Sequence, residues 1–229
     1  MFRGRDDKMY VISVRETSVE PRLARLCFNT TRGSFEAFYH SAPMLSKGVV
    51  LIGGVEGNPD GPDSLYPELA RDLLACGVVS IRLVYGEPHD CRQCGLDTLV
   101  ALQYLDDEGI KEIAMVGWSS GGAVALSVGS LAKNVGAIAA MGTQAISNGC
   151  IRRLRSKSVL LLHGGSDTVC PVRIARAIHD GLLGPRRMIV YADAGHFLEE
   201  VRPRLLDDLR DWLMGVLGVE LDSRCVAPA

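Results

Sequence analysis

The chain has 229 residues, 47% of them hydrophobic and 23% charged, so it is long enough to bury a sizeable core and suits one α/β domain. Its formal net charge is −2 at pH 7, and lysine and arginine are scattered along the chain, which argues against a nucleic-acid partner. Seven cysteines, an odd number spread over the sequence, favour reduced thiols over a disulfide framework.

The first eight residues, Met1 to Lys8, are charged and lack the apolar segment of a signal peptide. The longest apolar runs are too short, and too often interrupted by glycine, to span a bilayer. We therefore expect a cytoplasmic protein without a membrane partner, acting on a small molecule. The oligomeric state is left open, because edge-strand pairing near the N-terminus would permit a dimer.

Residues 1–47 predict an antiparallel start, with strand-like stretches at Met9 to Val14, Leu23 to Phe28 and Gly33 to Tyr39. Residues 48–217 then alternate short Val/Ile/Leu runs with longer amphipathic stretches, which predicts alternating strands and helices and makes this region the core in which a site is to be sought. The predicted strands are Gly48 to Ile52, Val78 to Leu83, Ile113 to Val116, Ala137 to Met141, Val159 to Leu162 and Met188 to Tyr191. The predicted helices are Tyr66 to Cys76, Gly95 to Glu108, Gly121 to Leu131, Pro171 to Leu182 and Pro203 to Val216.

This alternation predicts a single α/β domain over residues 1–229, with a mostly parallel sheet and helices on both faces. Residues 222–229 are expected to form a loose tail. In such sheets ligands bind outside the carboxyl ends of the strands, so the residues that follow each strand are the candidates for chemistry.

The clearest motif is Gly117-Trp118-Ser119-Ser120-Gly121-Gly122, directly after the strand that ends at Val116. It is a G-x-S-x-G sequence between a strand and a helix, which is the context of a hydrolase nucleophile elbow. The flanking glycines avoid collisions in the sharp turn, and the helix N-terminus faces a developing oxyanion. We therefore predict Ser119 as nucleophile and the Ser120 N–H as an oxyanion donor. A packing turn without function is the alternative; a phosphate cradle fits poorly, because no lysine follows the glycines.

A serine hydroxyl needs a base within hydrogen-bond reach. His196 lies in the loop between the last predicted strand and the last predicted helix, at the same sheet edge as Ser119. The other histidines fit less well: His40 and His89 fall in predicted surface loops, His179 within a predicted helix, and His163 at a strand end, where loop packing is the more ordinary role.

The base in turn needs an acceptor that fixes its tautomer. Asp167 follows the neighbouring strand and produces the order Ser, Asp, His, which the hydrolase fold uses. It stands four residues before the proline that opens the next helix, so helix capping explains it poorly. Asp193 is only three residues from His196, which is a poor spacing for a side chain that must hold the ring from behind. Glu199 and Glu200 fit a solvated turn better.

The first β/α loop, Gly53-Gly54-Val55-Glu56-Gly57, is flexible enough to bring a backbone N–H to a substrate carbonyl. We predict Gly54 as the second oxyanion donor, with Val55 as the alternative; a glycine-rich turn alone is the simpler interpretation. We also expect Val55, Trp118 and Tyr85 to line the substrate site.

These three motifs resemble those of the α/β-hydrolase superfamily, and more narrowly its compact members without a cap: dienelactone hydrolase-like proteins, small carboxylesterases and acyl thioesterases. The resemblance spans roughly Gly48 to Leu217 and implies a sheet of about eight strands and an acyl-enzyme on Ser119. Two differences stand out. Ile52 precedes the glycines where members often carry His-Gly, and dienelactone hydrolases use a cysteine nucleophile. The stretch Gly142 to Lys157 is too short for a substantial cap.

The leading hypothesis is a serine hydrolase that cleaves a small carboxylic ester or thioester without metal or cofactor. Alternatives on the same triad are a peptidase, an amidase or an acyltransferase. A non-catalytic binding protein with this fold is a further alternative. The C-x-x-C pair Cys91 and Cys94, with Cys170 as a third thiol, raises a redox or metal role, although no second pair of ligands accompanies it.

Overall fold

The structure, a computed structural model, describes residues 8–219. The strands in this range are β1 (Val11–Glu20), β2 (Leu23–Thr30), β3 (Gly33–His40), β4 (Lys47–Ile52), β5 (Val79–Val84), β6 (Glu112–Trp118), β7 (Val135–Met141), β8 (Ser158–Gly164) and β9 (Arg186–Tyr191). The α-helices are α1 (Leu65–Ala75), α2 (Cys91–Asp107), α3 (Ser120–Gly129), α4 (Asn148–Arg153), α5 (Arg173–Gly181) and α6 (Arg202–Leu217). The predicted tail 222–229 lies outside the described residues.

All nine strands in this range form one sheet, in the order β1-β2-β3-β5-β4-β6-β7-β8-β9. The pairs β1–β2, β2–β3 and β3–β5 are antiparallel, and the remaining pairs are parallel. The predicted mostly parallel sheet is therefore confirmed, with nine strands instead of about eight. The prediction shortened β1, whose polar, fully exposed second half lacks the apolar signal of a buried strand.

The core lies in two layers, one on each face of the sheet. Helices α2, α3, α4 and α5 cover one face, and α1 and α6 cover the other. Successive residues of β4 alternate between the layers: Val50 and Ile52 pack on the first face, and Val49 and Leu51 on the second. Because both faces of a parallel strand are buried, its sequence is a continuous apolar run, which explains why the central strands were predictable.

Between β7 and β8 the described chain forms only the six-residue α4 and a short 3₁₀ turn, Leu154–Ser156, so there is no large cap at this position. Sequence analysis missed α4, which begins after Ser147; its hydroxyl accepts from the Cys150 N–H at 3.3 Å. It also placed the start of α2 four residues late, because Asp90 caps this helix by accepting from the N–H groups of Arg92 and Gln93.

Among residues 8–219, no helix has both the length and the apolar character needed to cross a membrane.

One predicted position was wrong: His40 is not in a surface loop. It ends β3, opposite Ser80 of β5, and its side chain is buried. Burial, together with the nearby cations Arg82 and Arg71, lowers the pKa of His40 to about 4. The error arose because β3 lies inside the sheet, paired on both sides, which its short sequence does not reveal.

The carboxyl group of Asp97 is buried in α2, where the Gln93 side-chain amide donates to it at 2.8 Å. Burial, with a smaller contribution from Glu87, raises its pKa from 3.8 to about 6. The folded state thus holds this proton more tightly than the unfolded chain does. The associated stability is present below the unfolded pKa of 3.8 and is lost as the pH rises through about 6.

Replacing Asp97 by Asn should therefore stabilise the protein at pH 8 and change little at pH 4, where the carboxyl is protonated. We expect a gain of about 1–2 kcal/mol at pH 8, or a few degrees in melting temperature, after allowance for solvent screening. Thermal unfolding of both proteins at the two pH values tests this. A melting-temperature difference that is the same at both would contradict the assignment.

Candidate active site

Ser119 lies at the bend between β6 and α3, with φ 57° and ψ −122°. A positive φ is costly for a side chain other than glycine, and such strain persists only where the surroundings hold the backbone in place. Here the Ser119 N–H donates to the Met141 carbonyl at 2.9 Å, and the Ser119 carbonyl accepts from the Gly122 N–H at 3.0 Å. The turn thus presents the hydroxyl group at the carboxyl edge of the sheet.

The glycines of this turn are required by space, as predicted. A Cβ atom on Gly117 would lie 2.1 Å from the Gly121 carbonyl oxygen. A Cβ atom on Gly121 would lie 2.1 Å from the carbonyl oxygen of Gly53, in the loop after β4. The nucleophile turn and the β4 loop are therefore in direct backbone contact.

The structure brings together the three side chains predicted as nucleophile, acid and base. Ser119 Oγ lies 3.1 Å from His196 Nε2, and His196 Nδ1 lies 2.8 Å from Asp167 Oδ2. The three residues follow β6, β8 and β9, whose carboxyl ends meet at one edge of the sheet, and each is less than one tenth exposed. With Nδ1 donating to the carboxylate, His196 presents a lone pair on Nε2 to the serine hydroxyl.

The two oxygens of the Asp167 carboxylate have separate partners. Oδ1 accepts from the backbone N–H groups of Val169 and Cys170, at 2.9 and 2.7 Å, whereas Oδ2 faces His196. The carboxylate therefore stabilises the loop between β8 and α5, in which it lies, and does not cap α5. These bonds fix the plane of the carboxylate and aim Oδ2 at the imidazole.

His163 packs beneath the Asp167 loop, as the loop-packing interpretation predicts. Its Nε2 lies 2.6 Å from the Cys170 carbonyl oxygen, so the N–H donates there, and 3.4 Å from Asp167 Oδ2. The ring is fully buried, and within residues 8–219 its Nδ1 atom has no hydrogen-bond partner. The contact with the acid was not foreseen, although His163 and Asp167 are four residues apart around the same strand end.

Trp118, the last residue of β6, contacts the loop that carries His196. Its indole N–H donates to the His196 carbonyl oxygen at 3.0 Å, and its ring lies 5.4 Å from the imidazole ring. Gly142, directly after β7, adopts φ 49°, and a Cβ atom there would lie 3.4 Å from His196 Nδ1 and 3.5 Å from Asp167 Oδ2. Sequence analysis missed Gly142; its position one residue after a buried strand was the available signal.

Solved structures share this architecture at low sequence identity. The chain is similar to Est1E from Butyrivibrio proteoclasticus, with TM-score 0.72, 12% identity and coverage of 90% of this chain and 99% of that chain. It is similar to dienelactone hydrolase from Anabaena variabilis, with TM-score 0.72, 16% identity and coverage of 89% and 99%. For acetyl xylan esterase 1 from Thermoanaerobacterium sp. the TM-score is 0.68, the identity 15% and the coverage 90% and 88%. The chain has the α/β-hydrolase fold.

No protein-family model matches the sequence, and no curated protein matches it either. The similarity therefore lies in the backbone of the α/β-hydrolase fold. The fold was predictable from the sequence because it requires strands and helices to alternate and particular residues to stand at strand ends. It places little constraint on most surface positions.

In this α/β-hydrolase fold, the predicted oxyanion donors lie on the Ser119 side of the sheet edge. A Cβ atom on Gly54 would lie 3.5 Å from Ser119 Cβ, so the β4 loop passes directly beside Ser119. Ser120 is the first residue of α3, and the N–H groups of a first helical turn have no acceptor within the helix. The donor roles of Gly54 and Ser120 stay predictions, as does the alternative donor Val55.

An ion pair between a buried arginine and a partly exposed aspartate anchors the β4 loop. Arg82 of β5, whose side chain is 7% exposed, bonds through Nη1 to Asp60 Oδ1, and the Asp60 carbonyl accepts from the Tyr66 N–H at 2.9 Å. The Arg82 guanidinium also lies 4.8 Å from the centre of the Phe38 ring. Sequence analysis missed this anchor, although an arginine within the apolar run Val78 to Leu83 was a visible anomaly.

The expected substrate walls require a correction. Tyr85 is a core residue: its ring packs between the sheet and α2, and its hydroxyl group lies 2.7 Å from Thr98 Oγ1. Trp118 is also largely buried, but its ring lies beside His196, Phe197 and Gly54, so its place in the substrate wall stays a prediction. Only Val55 of the three predicted wall residues is exposed. Both aromatic rings follow or end a strand, and position at the sheet edge does not show whether a ring turns inward.

The cysteine pair Cys91 and Cys94 lies in the first turn of α2, Cys91 exposed and Cys94 buried. Burial, followed by the Asp97 carboxylate, raises the pKa of the Cys94 thiol to about 12, the opposite of an activated thiol. Burial also raises the pKa of Cys170. Within residues 8–219, no group of three or more His, Cys, Asp or Glu side chains is arranged to hold a metal ion.

Proposed function

We propose that the protein is a serine hydrolase that cleaves a small carboxylic ester or thioester through an acyl-enzyme on Ser119. The observation that carries this proposal is the hydrogen-bonded chain from Ser119 Oγ to His196 Nε2, at 3.1 Å, and from His196 Nδ1 to Asp167 Oδ2, at 2.8 Å. A strand-to-helix turn that served only for packing would not require Ser119 at a positive φ, His196 aligned with its hydroxyl group and Asp167 fixed behind the imidazole.

In the proposed reaction, His196 Nε2 takes the hydroxyl proton while Ser119 Oγ attacks the substrate carbonyl carbon. The N–H groups of Ser120 and Gly54 stabilise the resulting oxyanion. The imidazolium, held by Asp167, then donates its proton to the leaving alkoxide or thiolate. A water molecule, deprotonated by the same histidine, hydrolyses the acyl-enzyme and releases the acid.

Two observations support an ester or thioester over a peptide. The region between β7 and β8 carries no large cap among the described residues, so the nucleophile faces an open edge suited to a small acyl substrate. Two of the structural relatives named above are esterases by description, Est1E and acetyl xylan esterase 1. Peptidase, amidase and acyltransferase activities on the same residues are outcomes that the test distinguishes.

The test follows hydrolysis of p-nitrophenyl acetate, p-nitrophenyl butyrate and S-phenyl thioacetate by the wild type and Ser119→Ala, with intact-mass detection of an acyl or fluorophosphonate adduct. We expect turnover and a mass shift in the wild type, both lost in Ser119→Ala. Ser18→Ala is the matched control, because Ser18 lies exposed on β1, outside the candidate site, and this variant should retain both signals. Absence of turnover and adduct in the wild type would overturn the proposal and favour a binding protein with this fold.

A further inference from the structure

A groove of about 370 Å³ runs along the outer side of α3, away from the sheet. Its floor is formed by Ala123, Ser127 and Leu131. These residues are four positions apart and therefore lie on one stripe, which runs from the first turn of α3 to Leu131, just past the end of the helix. One wall is the first turn of α2, and the other is the loop after β7 together with α4.

One end of the groove lies close to the turn that carries Ser119, although Ser119 itself does not line it. Ser119 immediately precedes α3, and Ala123 follows it by one helical turn. Gln144, which lines the same end, donates its backbone N–H to the Ser119 carbonyl at 3.4 Å. From Ala123 to Leu131 the stripe extends about 12 Å, at the rise of an α-helix. One end of the groove therefore lies about one helical turn from Ser119, and the other lies at Leu131.

The lining is mainly apolar and carries no negative charge. Val124 and Val128 contribute buried surface to the floor, and Ile146 contributes to the wall. Leu131, at the far end, is 43% exposed, which leaves an apolar side chain in water. Among the described residues that line the groove there is no carboxylate, and the exposed guanidinium of Arg153 lies at its rim. A hydrocarbon group suits this surface, and a cationic group does not.

The shape favours a chain over a ring system. The floor residues follow one face of a single helix over about 12 Å, and a narrow linear stripe of this kind suits an extended hydrocarbon chain. The volume lies near the lower end of the range of small-molecule pockets.

We propose that this groove binds an unbranched hydrocarbon chain of the ester that Ser119 cleaves. The inference rests on the proposed function and extends it to a substrate class, esters with a medium-length chain. The chain lies along the stripe of Ala123, Ser127 and Leu131 and covers the exposed Leu131 side chain. The chain can belong to the acyl group or to the alcohol, and the experiment distinguishes the two.

The first measurement compares kcat/KM for p-nitrophenyl acetate, butyrate, hexanoate, octanoate and decanoate. Each buried CH₂ group should raise kcat/KM by up to about fourfold until the groove is filled. Ser127→Phe places a large ring in the middle of the floor and should abolish the increase beyond butyrate while acetate hydrolysis is retained. Ser18→Phe adds the same ring at an exposed position of β1, outside the groove, and should keep the wild-type profile. Leu131→Asp, at an exposed position, should reduce kcat/KM only for the longest esters.

A second series, ethyl to decyl acetates, tests the alcohol side. A chain-length dependence in the first series alone assigns the groove to the acyl group, and one in the second series alone assigns it to the alcohol. Titration calorimetry with sodium decanoate measures binding independently of catalysis, with Ser127→Phe as the variant that should lose it. Binding without hydrolysis of any ester overturns the proposed function and keeps the groove. Hydrolysis without chain-length dependence in either series, and without decanoate binding, overturns the groove proposal alone.

Discussion

Replacing Asp167 by Asn should lower kcat/KM for p-nitrophenyl butyrate by about 10³- to 10⁴-fold while the protein stays folded. The side chains have the same shape, and the Asn oxygen can still accept from the Val169 and Cys170 N–H groups. Its amide NH₂ group then faces His196 Nδ1, which must accept a hydrogen bond instead of donating one. The imidazole proton is thereby forced onto Nε2, and the lone pair that faces Ser119 is lost.

The measurement is steady-state kinetics of purified Asp167→Asn beside a matched variant, Asp193→Asn, which changes an exposed carboxylate three residues before His196. The matched variant should retain activity within a few-fold. Melting temperatures of both variants separate loss of fold from loss of chemistry. Asp167→Asn activity within tenfold of the wild type, in a folded protein, would mean that this carboxylate does not orient the base.

Replacing Gly121 by Ala should disrupt the nucleophile turn through one methyl group. The new Cβ atom would lie 2.1 Å from the Gly53 carbonyl oxygen and 2.7 Å from that of Ile52, and neither backbone atom can move without shifting β4 or its loop. We expect a loss of about 3 kcal/mol of stability or more, a fall in melting temperature of several degrees, and at least about a 10²-fold loss of kcat/KM.

The matched control is Gly136→Ala in β7, where an added Cβ atom has no neighbour within 4 Å. This variant should match or slightly exceed the wild type in melting temperature, because alanine restricts the unfolded chain more than glycine does. Both variants are compared by thermal unfolding and ester kinetics. A Gly121→Ala protein with wild-type stability and activity would show that the β4 loop and the nucleophile turn are not in fixed contact.

The parts of the structure that were predictable share a physical origin. Strands buried on both faces are continuous apolar runs, and their ends identify the sheet edge where chemistry occurs. Ser119, Asp167 and His196 each stand just after such a run, so the sequence alone places them at one edge. Their distances of 3.1 and 2.8 Å agree with that placement.

The parts that were not predictable depend on packing between distant segments. The inward orientation of the Tyr85 ring is decided by Thr98 on α2, and the burial of His40 by the pairing of β3 with β5. The ion pair that anchors the β4 loop joins Arg82 to Asp60 across 22 positions. None of these contacts leaves a periodic signal in the sequence, because each is set by how complete elements are arranged against one another.

The hydrogen bond between Ser119 and His196 joins residues 77 positions apart, and that between His196 and Asp167 joins residues 29 apart. During synthesis the elbow and α3 therefore emerge well before the base, and domains fold as units once their segments are available. A nascent chain that ends before β9 contains Ser119 without His196, the proposed base, and on this proposal it has no hydrolase activity. Under the proposed function, activity therefore requires the part of the chain that follows β9 to be in place against the sheet.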